Sequence, residues 1–529
     1  MNLRALLLPL ALSLPLSFSA VCSHAAEKPN VIVIMADDLG YGDISANGAT
    51  ALKTPNIDRL AAEGLRFTSG YCSASTCTPT RYSFLTGNYA FRHKGTGIAP
   101  PNGHLVVPPD AYTIADIAKA AGYKTAVIGK WHLGLGAQGK GPNWNGSITP
   151  GPREIGFDYN FLLPTTNDRV PQVFVENDRV LNLDPKDPLW VGDKLPAGDH
   201  PTGISHRDTL KMDWSHGHNM ALVNGVGRIG WMKGGRSAIW NDETMGDTFA
   251  DKACGFIAQN KDKPFFLYYA SHENHVPRVH HPRYAGKTPL GPRGDAVVAF
   301  DDQVGRILAE LDKQGLAENT LVIYTSDNGP VLDDGYKDQA VERNKAAAHA
   351  PAGPFRGGKY SILEGGTRVG FIARWPGHTP AAKVSDALIS QVDLPAVFTK
   401  VAGGDPAEFL KLDSVDSSAA LTGGQGRETL ISSTQGAVLS IRDARWKFIS
   451  GVGAPGKGKK AQGPLVDLLG AEAEQANDRR DQAGPRLFDL QADPGERNNV
   501  AKEHPEVVAR LKALLEAQRA KGVLQPLPN

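Results

Sequence analysis

The chain has 529 residues, roughly two to four domains' worth of material, and 41% hydrophobic with 21% charged residues excludes a wholly disordered protein. Lys plus Arg number 57 against 56 Asp plus Glu, a net charge of +1, so nothing global calls for nucleic acid or an acidic membrane. The 58 Gly and 37 Pro exclude a helical bundle or coiled coil.

Residues 1–26 read as an export signal. Arg4 supplies the positive end, Ala5 to Ala20 is apolar apart from Ser and Pro, and Ser23-His24-Ala25 offers a cleavage site. The run falls short of the ~20 apolar residues that span a bilayer. A lipid anchor at Cys22 is the alternative, although Ser19-Ala20-Val21 fits a lipidation box poorly. No later segment is apolar enough to span, so the expected location is periplasmic or secreted. The four Cys are Cys22, Cys72, Cys77 and Cys254. Three thiols after removal of Cys22 rule out a disulfide framework by count and leave an odd one that needs a chemical explanation. Whether Cys72 and Cys254 pair is open.

Val31 to Met35 is apolar, continuous and too short for a buried helix, hence a central strand. Thr54-Pro55 opens a helix, with Thr54 as cap and Gly64 as its end; Thr113 and Asp116 cap another, closed by Gly122. Thr125–Ile128, Phe265–Tyr269, Leu321–Thr325 and Phe371–Arg374 are further strands. This alternation is the pattern of an α/β protein with a mostly parallel central sheet flanked by helices. The domains expected are a catalytic unit over 27–426 and a smaller C-terminal α+β subdomain over 427–529. Residues 134–260 read as a loop-rich, substrate-selecting insertion; six of the eight Trp fall between Trp131 and Trp240. Gly403 to Gly426 reads as a linker. Beyond it come strand-like Ala437–Ile441 and Trp446–Ile449, and an exposed loop at Gly451–Gly463. A final helix carries Val507, Val508, Leu511, Leu514 and Leu515 on one face.

Polar clusters follow four of the apolar runs: Asp37-Asp38, Lys130-Trp131-His132, His272 with His275, and Asp327-Asn328. Ligands bind beyond the carboxyl ends of strands in open α/β sheets, so neighbouring parallel strands would bring these clusters to one edge. Adjacent buried carboxylates demand a cation or a raised pKa. Asp327 and Asn328 add hard oxygen ligands, which suit Ca²⁺ or Mg²⁺. Zinc is disfavoured because no Cys or His pair has the spacing of a structural site. Arg81, Lys130, Lys359, His132 and His275 complete a pocket for a tetrahedral oxyanion ester. The residues alone reach a metal-assisted phosphate or sulfate ester hydrolase.

Cys77-Thr78-Pro79-Thr80-Arg81, followed by Leu85-Thr86-Gly87, resembles the signature of the type I, formylglycine-dependent sulfatases, arylsulfatase-like enzymes with an alkaline-phosphatase-like fold. The resemblance extends to Asp37 through Gly42, Thr54 through Asp58, Gly129 through Gly134 and Ser326 through Gly329. It continues through Phe355 to Lys359, Glu364 to Arg368, and Leu487 to Leu490 with Asp493 to Glu496. The resemblance implies that Asp37, Asp38, Asp327, Asn328 and the side chain at position 77 hold a divalent cation, Ca²⁺ before Mg²⁺. It implies that a maturation enzyme converts Cys77 to formylglycine (3-oxoalanine), whose hydrate attacks sulfur. Arg81 would stabilise the modified residue, and Lys130 and Lys359 the sulfate oxygens. His275, with His272 as fallback, would protonate the leaving alcohol, and His132 would take the proton that lets sulfate depart. Thr166 is a weaker match for a further polar contact. The substrate implied is a sulfated carbohydrate or an aryl sulfate. The rivals are a phosphonate or phosphate monoester hydrolase on the same scaffold and a catalytically silent glycan-binding relative.

Overall fold

The computed structural model describes residues 28–405, 413–434, 438–451 and 484–522. The signal segment, Cys22 and the 452–463 part of the expected exposed loop lie outside the described residues. Strand β1 (Asn30–Ala36) is buried along its whole length. Its side chains alternate, Val31, Val33 and Met35 entering one apolar layer and Ile32 and Ile34 the other. Its partners are β2 (Leu65–Phe67), β3 (Lys124–Lys130), β4 (Tyr159–Leu163), β5 (Val175–Glu176), β6 (Arg179–Val180), β7 (Phe265–Ala270), β8 (Thr320–Ser326), β9 (Phe371–Arg374) and β10 (Lys383–Ser385). The ten strands form one sheet in the order β10-β2-β9-β8-β1-β7-β3-β4-β5-β6. The central run from β8 to β4 is parallel. Strand β9 opposes both its neighbours, and β5 and β6 run antiparallel at the far edge, so the sheet is mixed at its flanks.

Helices cover both faces. Helices α1 (Pro55–Glu63), α4 (Met245–Gln259) and α5 (Pro292–Lys313) bury Ile57, Phe249 and Phe300 against the layer of Ile32. Helices α2 (Cys77–Thr86) and α3 (Ile114–Ala120) bury Phe84 and Ile117 against the layer of Val33. The α3 cap is as expected: the Thr113 hydroxyl accepts from Ala115 and Asp116 N–H, while Asp116 accepts from Thr113 N–H at 3.0 Å. Thr54 departs from expectation. Its hydroxyl makes no cap bond to α1 and is held instead by Ser45 and Asp58, because Pro55 at the first helical position leaves one N–H fewer to satisfy.

Residues 134–260 hold mostly irregular chain and two-residue to three-residue ribbons such as Trp190–Gly192 with Trp231–Lys233. The stretch also contributes β4 and α4 to the scaffold. The expected linker is anchored where it is described: Asp413 accepts from Arg92 at 2.6 Å, and Ser418–Leu421 forms a helical turn with Leu421 buried. The C-terminal unit is an antiparallel sheet of β11 (Leu430–Ser433), β12 (Leu439–Arg442), β13 (Trp446–Ile449) and β14 (Arg486–Asp489), with α6 (Pro505–Ala520) packed on it. Leu511 and Leu515 of α6 are buried, whereas Leu514 is 39% exposed, so the buried stripe is narrower than the periodicity implied. Among the described residues, no helix is long and apolar enough to cross a membrane.

Candidate active site

Four parallel strands end at one level. Ala36 of β1 lies beside Ser326 of β8, Met35 beside Ala270 of β7, and Ala270 beside Gly129 of β3. The polar residues that follow them therefore converge at the carboxyl edge of the sheet. Backbone bonds extend the ladder into the cluster: Asp37 N–H donates to Glu273 O at 2.8 Å, and Asp327 N–H to Ala36 O at 3.1 Å. Asp38 and His132 take left-handed backbone, with φ of 55° and 52°.

Helix α2 opens at Cys77 and is buried on every side, so it shows no apolar stripe to betray it in the sequence. Cys77 is 1% exposed and sits in the first turn, where unpaired N–H groups favour developing negative charge. Arg81 lies one turn further along. Its Nε and Nη2 donate to Asp327 Oδ2 at 3.0 and 2.7 Å, and its Nη1 to Lys130 O at 2.9 Å and Tyr268 Oη at 3.1 Å. Lys130 Nζ donates to Asp37 at 2.5 Å. Lys359 Nζ donates to Asp38 and Asp334, each at 2.8 Å. Burial alone would lower the Lys359 ammonium, but Asp334 and Asp38 hold it well above its ordinary range.

The residues present fit a hard cation. Asp37, Cys77 and Asp327 each place one ligand atom within 4.8 Å of the others, and Asp37, Asp38 and His275 form a second such set. Asn328 Nδ2 donates to Asp38 at 2.8 Å, while Asn328 Oδ1 and Asp37 Oδ1 are buried with no hydrogen-bond partner. Burial and the neighbouring Asp327 push the Asp37 carboxyl well above its usual range, the mark of a carboxylate cluster short of positive charge. Oxygen ligands in this setting suit Ca²⁺ or Mg²⁺.

A narrow pocket opens onto these groups, and Cys77, His132, His275 and Lys359 line it. His132 pairs through Nε2 with Ala99 O at 3.2 Å, which leaves Nδ1 buried and unpartnered. His275 pairs through Nδ1 with Val276 O at 2.7 Å, and its Nε2 faces Lys359 Nζ at 3.5 Å. Burial, with Lys130, holds both imidazoles well below their ordinary range. His272 does not line the pocket. It packs edge-on against Phe249, 5.7 Å between ring centres, and burial pushes it down to about 3. Thr166 is not among the lining residues either; its hydroxyl donates to Asp168. Cys72, Cys77 and Cys254 are all free thiols.

The rest of the wall was not foreseen. Asp168, Arg169, His218, Asp334 and Tyr360 also line the pocket. His218 Nε2 lies 2.9 Å from Asp168 Oδ2, and Asp168 Oδ1 lies 4.0 Å from His275 Nδ1. Asp168, Arg169 and His218 come from the irregular stretch, where no periodicity or strand end marks a functional residue. Asp334 and Tyr360 carried one usable signal, their closeness in sequence to Asn328 and Lys359.

A parallel sheet whose edge gathers three buried carboxylates, two lysines and a Cys at a helix start defines a class of ester hydrolase. The family model for sulfatases matches residues 29–404, and the chain belongs to the sulfatase family, whose members are sulfuric ester hydrolases. It is 46% identical over 498 residues to the N-acetylgalactosamine-6-O-sulfatase of Bacteroides thetaiotaomicron, covering 94% of each chain. Human arylsulfatase A is 32% identical over 528 residues, covering 97% of this chain and 90% of that one. A solved Bacteroides thetaiotaomicron chain, described under the metabolism of multiple glycosaminoglycans, superposes with a TM-score of 0.85 at 45% identity. That match covers 94% of this chain and all of the other.

Proposed function

We propose that this protein is an exported, formylglycine-dependent sulfatase that removes a sulfate monoester from a saccharide, with a 6-O-sulfated N-acetylhexosamine as the preferred unit. The observation that carries the reading is one pocket lined by Cys77, Lys359, His132 and His275 together with Asp168, Arg169 and His218. The first four are groups for sulfate-ester chemistry; the last three are hydrogen-bonding groups suited to sugar hydroxyls. The bacterial N-acetylgalactosamine-6-O-sulfatase, similar over nearly its whole length, supports the choice of sugar.

Formylglycine at position 77, beside a divalent cation held by Asp37, Asp38, Asp327 and Asn328, supplies a hydrated aldehyde with two hydroxyls on one carbon, which a thiol cannot. The remaining work belongs to this chain's own side chains. Arg81 pins Asp327, one of the residues that would hold the cation. Lys130 and Lys359 place positive charge where sulfate oxygens gain charge in the transition state. His275 keeps its Nδ1 proton on Val276 O, so Nε2 would first take up a proton, with the Lys359 ammonium 3.5 Å away as the nearest donor, and then pass it to the leaving sugar oxygen. His132 Nδ1, neutral and unpartnered, accepts the proton whose loss allows sulfate to depart. With Cys77 1% exposed, its conversion by a maturation enzyme precedes folding.

The test is desulfation of a defined panel, N-acetylgalactosamine carrying sulfate at O6 or at O4 and an aryl sulfate, using protein whose residue 77 is verified by mass. Faster release from O6 is the expected result; equal or faster release from O4 would overturn the assignment of position. The phosphorus rival is separated by kcat/KM for aryl sulfate against aryl phosphonate, and a preference for phosphonate would replace this reading. No turnover by verified protein on any ester would leave the silent glycan-binding alternative.

A further inference from the structure

The loop that carries Lys359 is not held by the catalytic domain alone. Between Arg356 and Arg368 the chain doubles back, Gly365 N–H donating to Arg356 O at 2.8 Å. It lies backbone against backbone on the segment of Asp327 and Asn328: Gly329 N–H donates to Gly366 O at 3.0 Å, and a Cβ on Gly329 would stand 1.8 Å from Gly365 O. Lys359 and Tyr360 hang from Pro330 O and Ser75 O through their own N–H groups, at 2.9 and 2.8 Å.

 The apolar side of the loop, Ile362 and Leu363, shares a buried cluster with Ile449, Phe488 and Leu490 of the C-terminal sheet. The polar side meets that sheet too. Lys447 of β13 is buried, with Nζ 2.9 Å from Glu364 Oε1 and 3.0 Å from Glu496 Oε1, and Glu364 N–H donates to Glu496 Oε2 at 2.5 Å. Strand β11 reaches the other side of the pocket, where Ser433 exchanges backbone bonds with Ser73 and Ser75, just before Cys77.

We propose that Lys447, with Glu496, is a positioning residue for sulfate-ester hydrolysis: it fixes Glu364, and through that rigid loop the ammonium of Lys359. The C-terminal sheet is then part of the active-site scaffold. The proposal rests on the reading of Lys359 as a sulfate-holding group. Arg368, Arg442 and the Tyr71 hydroxyl meet Glu364 Oε2, whereas Lys447 meets its Oε1 and also Glu496. Replacing Lys447 therefore leaves Oε1 and the buried Glu496 without their shared ammonium, and movement of the loop is the relief expected.

The test is a double-mutant cycle of Lys447→Met and Lys359→Met, on protein with equal formylglycine content at position 77 by mass. Aryl sulfate turnover and inhibition by inorganic sulfate are both measured. A misplacement of about 1 Å at a reacting centre costs up to about 100-fold, so Lys447→Met is expected to lower kcat/KM by about 10- to 100-fold and to weaken sulfate inhibition. In the Lys359→Met background the same change is expected to cost less than about threefold, because the group it positions is gone. A purely structural role would lower only the active fraction, leave KM and sulfate inhibition unchanged, and cost the same in both backgrounds; that pattern overturns the proposal. Should Lys447→Met fail to fold, Glu364→Gln, which removes the charge that Lys447 holds on the loop, carries the same cycle with the same outcomes. Parent-like turnover by Lys359→Met would overturn the role of Lys359 itself, whereas a damaged Lys359→Met with no coupling to Lys447 overturns this proposal alone.

Discussion

Arg81→Met tests whether the guanidinium is the counter-ion that makes the acidic cluster possible. The substitution keeps the apolar stem and removes every N–H that reaches Asp327, Lys130 O and Tyr268 Oη. Both Arg81 and Asp327 have side chains 0% exposed, so no water replaces the lost donors. Deleting one partner of such a pair costs about 3–5 kcal/mol, because the other charge is left buried. The Lys130 carbonyl loses its guanidinium donor as well, about 1–3 kcal/mol at most, and the Tyr268 hydroxyl keeps only its contact with Met35 Sδ. A destabilisation of at least about 3–5 kcal/mol is expected, together with weaker retention of divalent cation, since Asp327 loses the donors that hold its carboxylate in place. Urea unfolding at pH 7, with metal content measured after dialysis, reads both quantities. A loss below about 1 kcal/mol with unchanged metal content would refute the assignment of Arg81 as the counter-ion of Asp327.

Other expectations follow from the same geometry. Cys77→Ser should fold normally and lose sulfate-ester turnover, because an alcohol supplies one hydroxyl where the chemistry needs two; wild-type rates in that variant contradict the nucleophile. For Asp43, burial alone would raise the carboxyl, but Arg293 at 2.6 and 2.8 Å and His349 at 2.9 Å hold it at about 2. Its contribution, about 2–3 kcal/mol, is therefore present above the unfolded value near 3.8 and lost as pH falls toward 2, so the stability gap between parent and Asp43→Asn should close over that window. Glu273 has the opposite sign. Burial pushes it up to about 8 from 4.5, so the parent loses stability as pH rises through that interval, and Glu273→Gln should gain on it by about 4–5 kcal/mol between pH 4.5 and 8 in unfolding measurements.

The parts legible in the sequence are those where one physical rule acts alone. Strands β1, β3, β7 and β8 are buried on both faces, so their continuous apolar runs admit no other reading, and the polar residues after them had to share an edge once the strands were parallel. Helix α2 obeys no stripe because every residue is buried, so the motif at Cys77 to Arg81 was legible without the helix that carries it. Strands β5 and β6, two residues each, exist only through pairing with β4 and each other. Asp168 and His218 illustrate the larger gap. Their position depends on Arg228, fully buried, which donates to Asn167 O at 2.6 Å and pairs with Asp242 at 2.9 Å, and on Asn167 Nδ2, which donates to His275 O at 3.2 Å. Such long-range bonds between irregular segments leave no periodic trace. The expected α6 face failed at Leu514, which stays 39% exposed while Leu511 and Leu515 pack on the C-terminal sheet.

The two possible cation seats share Asp37 and differ in whether His275 is a ligand. Hard divalent ions prefer carboxylate and amide oxygens to imidazole, and the unpartnered buried atoms of the cluster are oxygens, Asp37 Oδ1 and Asn328 Oδ1. Lys359 Nζ already stands 2.8 Å from Asp38 and 3.5 Å from His275 Nε2, so an ion seated against His275 would meet an ammonium at close range. The carboxylate side is the better seat, and it would leave His275 for the proton transfer proposed above. His275→Gln should then keep its full complement of bound cation while losing turnover, with the loss smallest for aryl sulfates, whose leaving groups need no proton. Asp327→Ala should lose both cation and turnover. A His275→Gln protein stripped of metal would make His275 a ligand and remove it from the acid role.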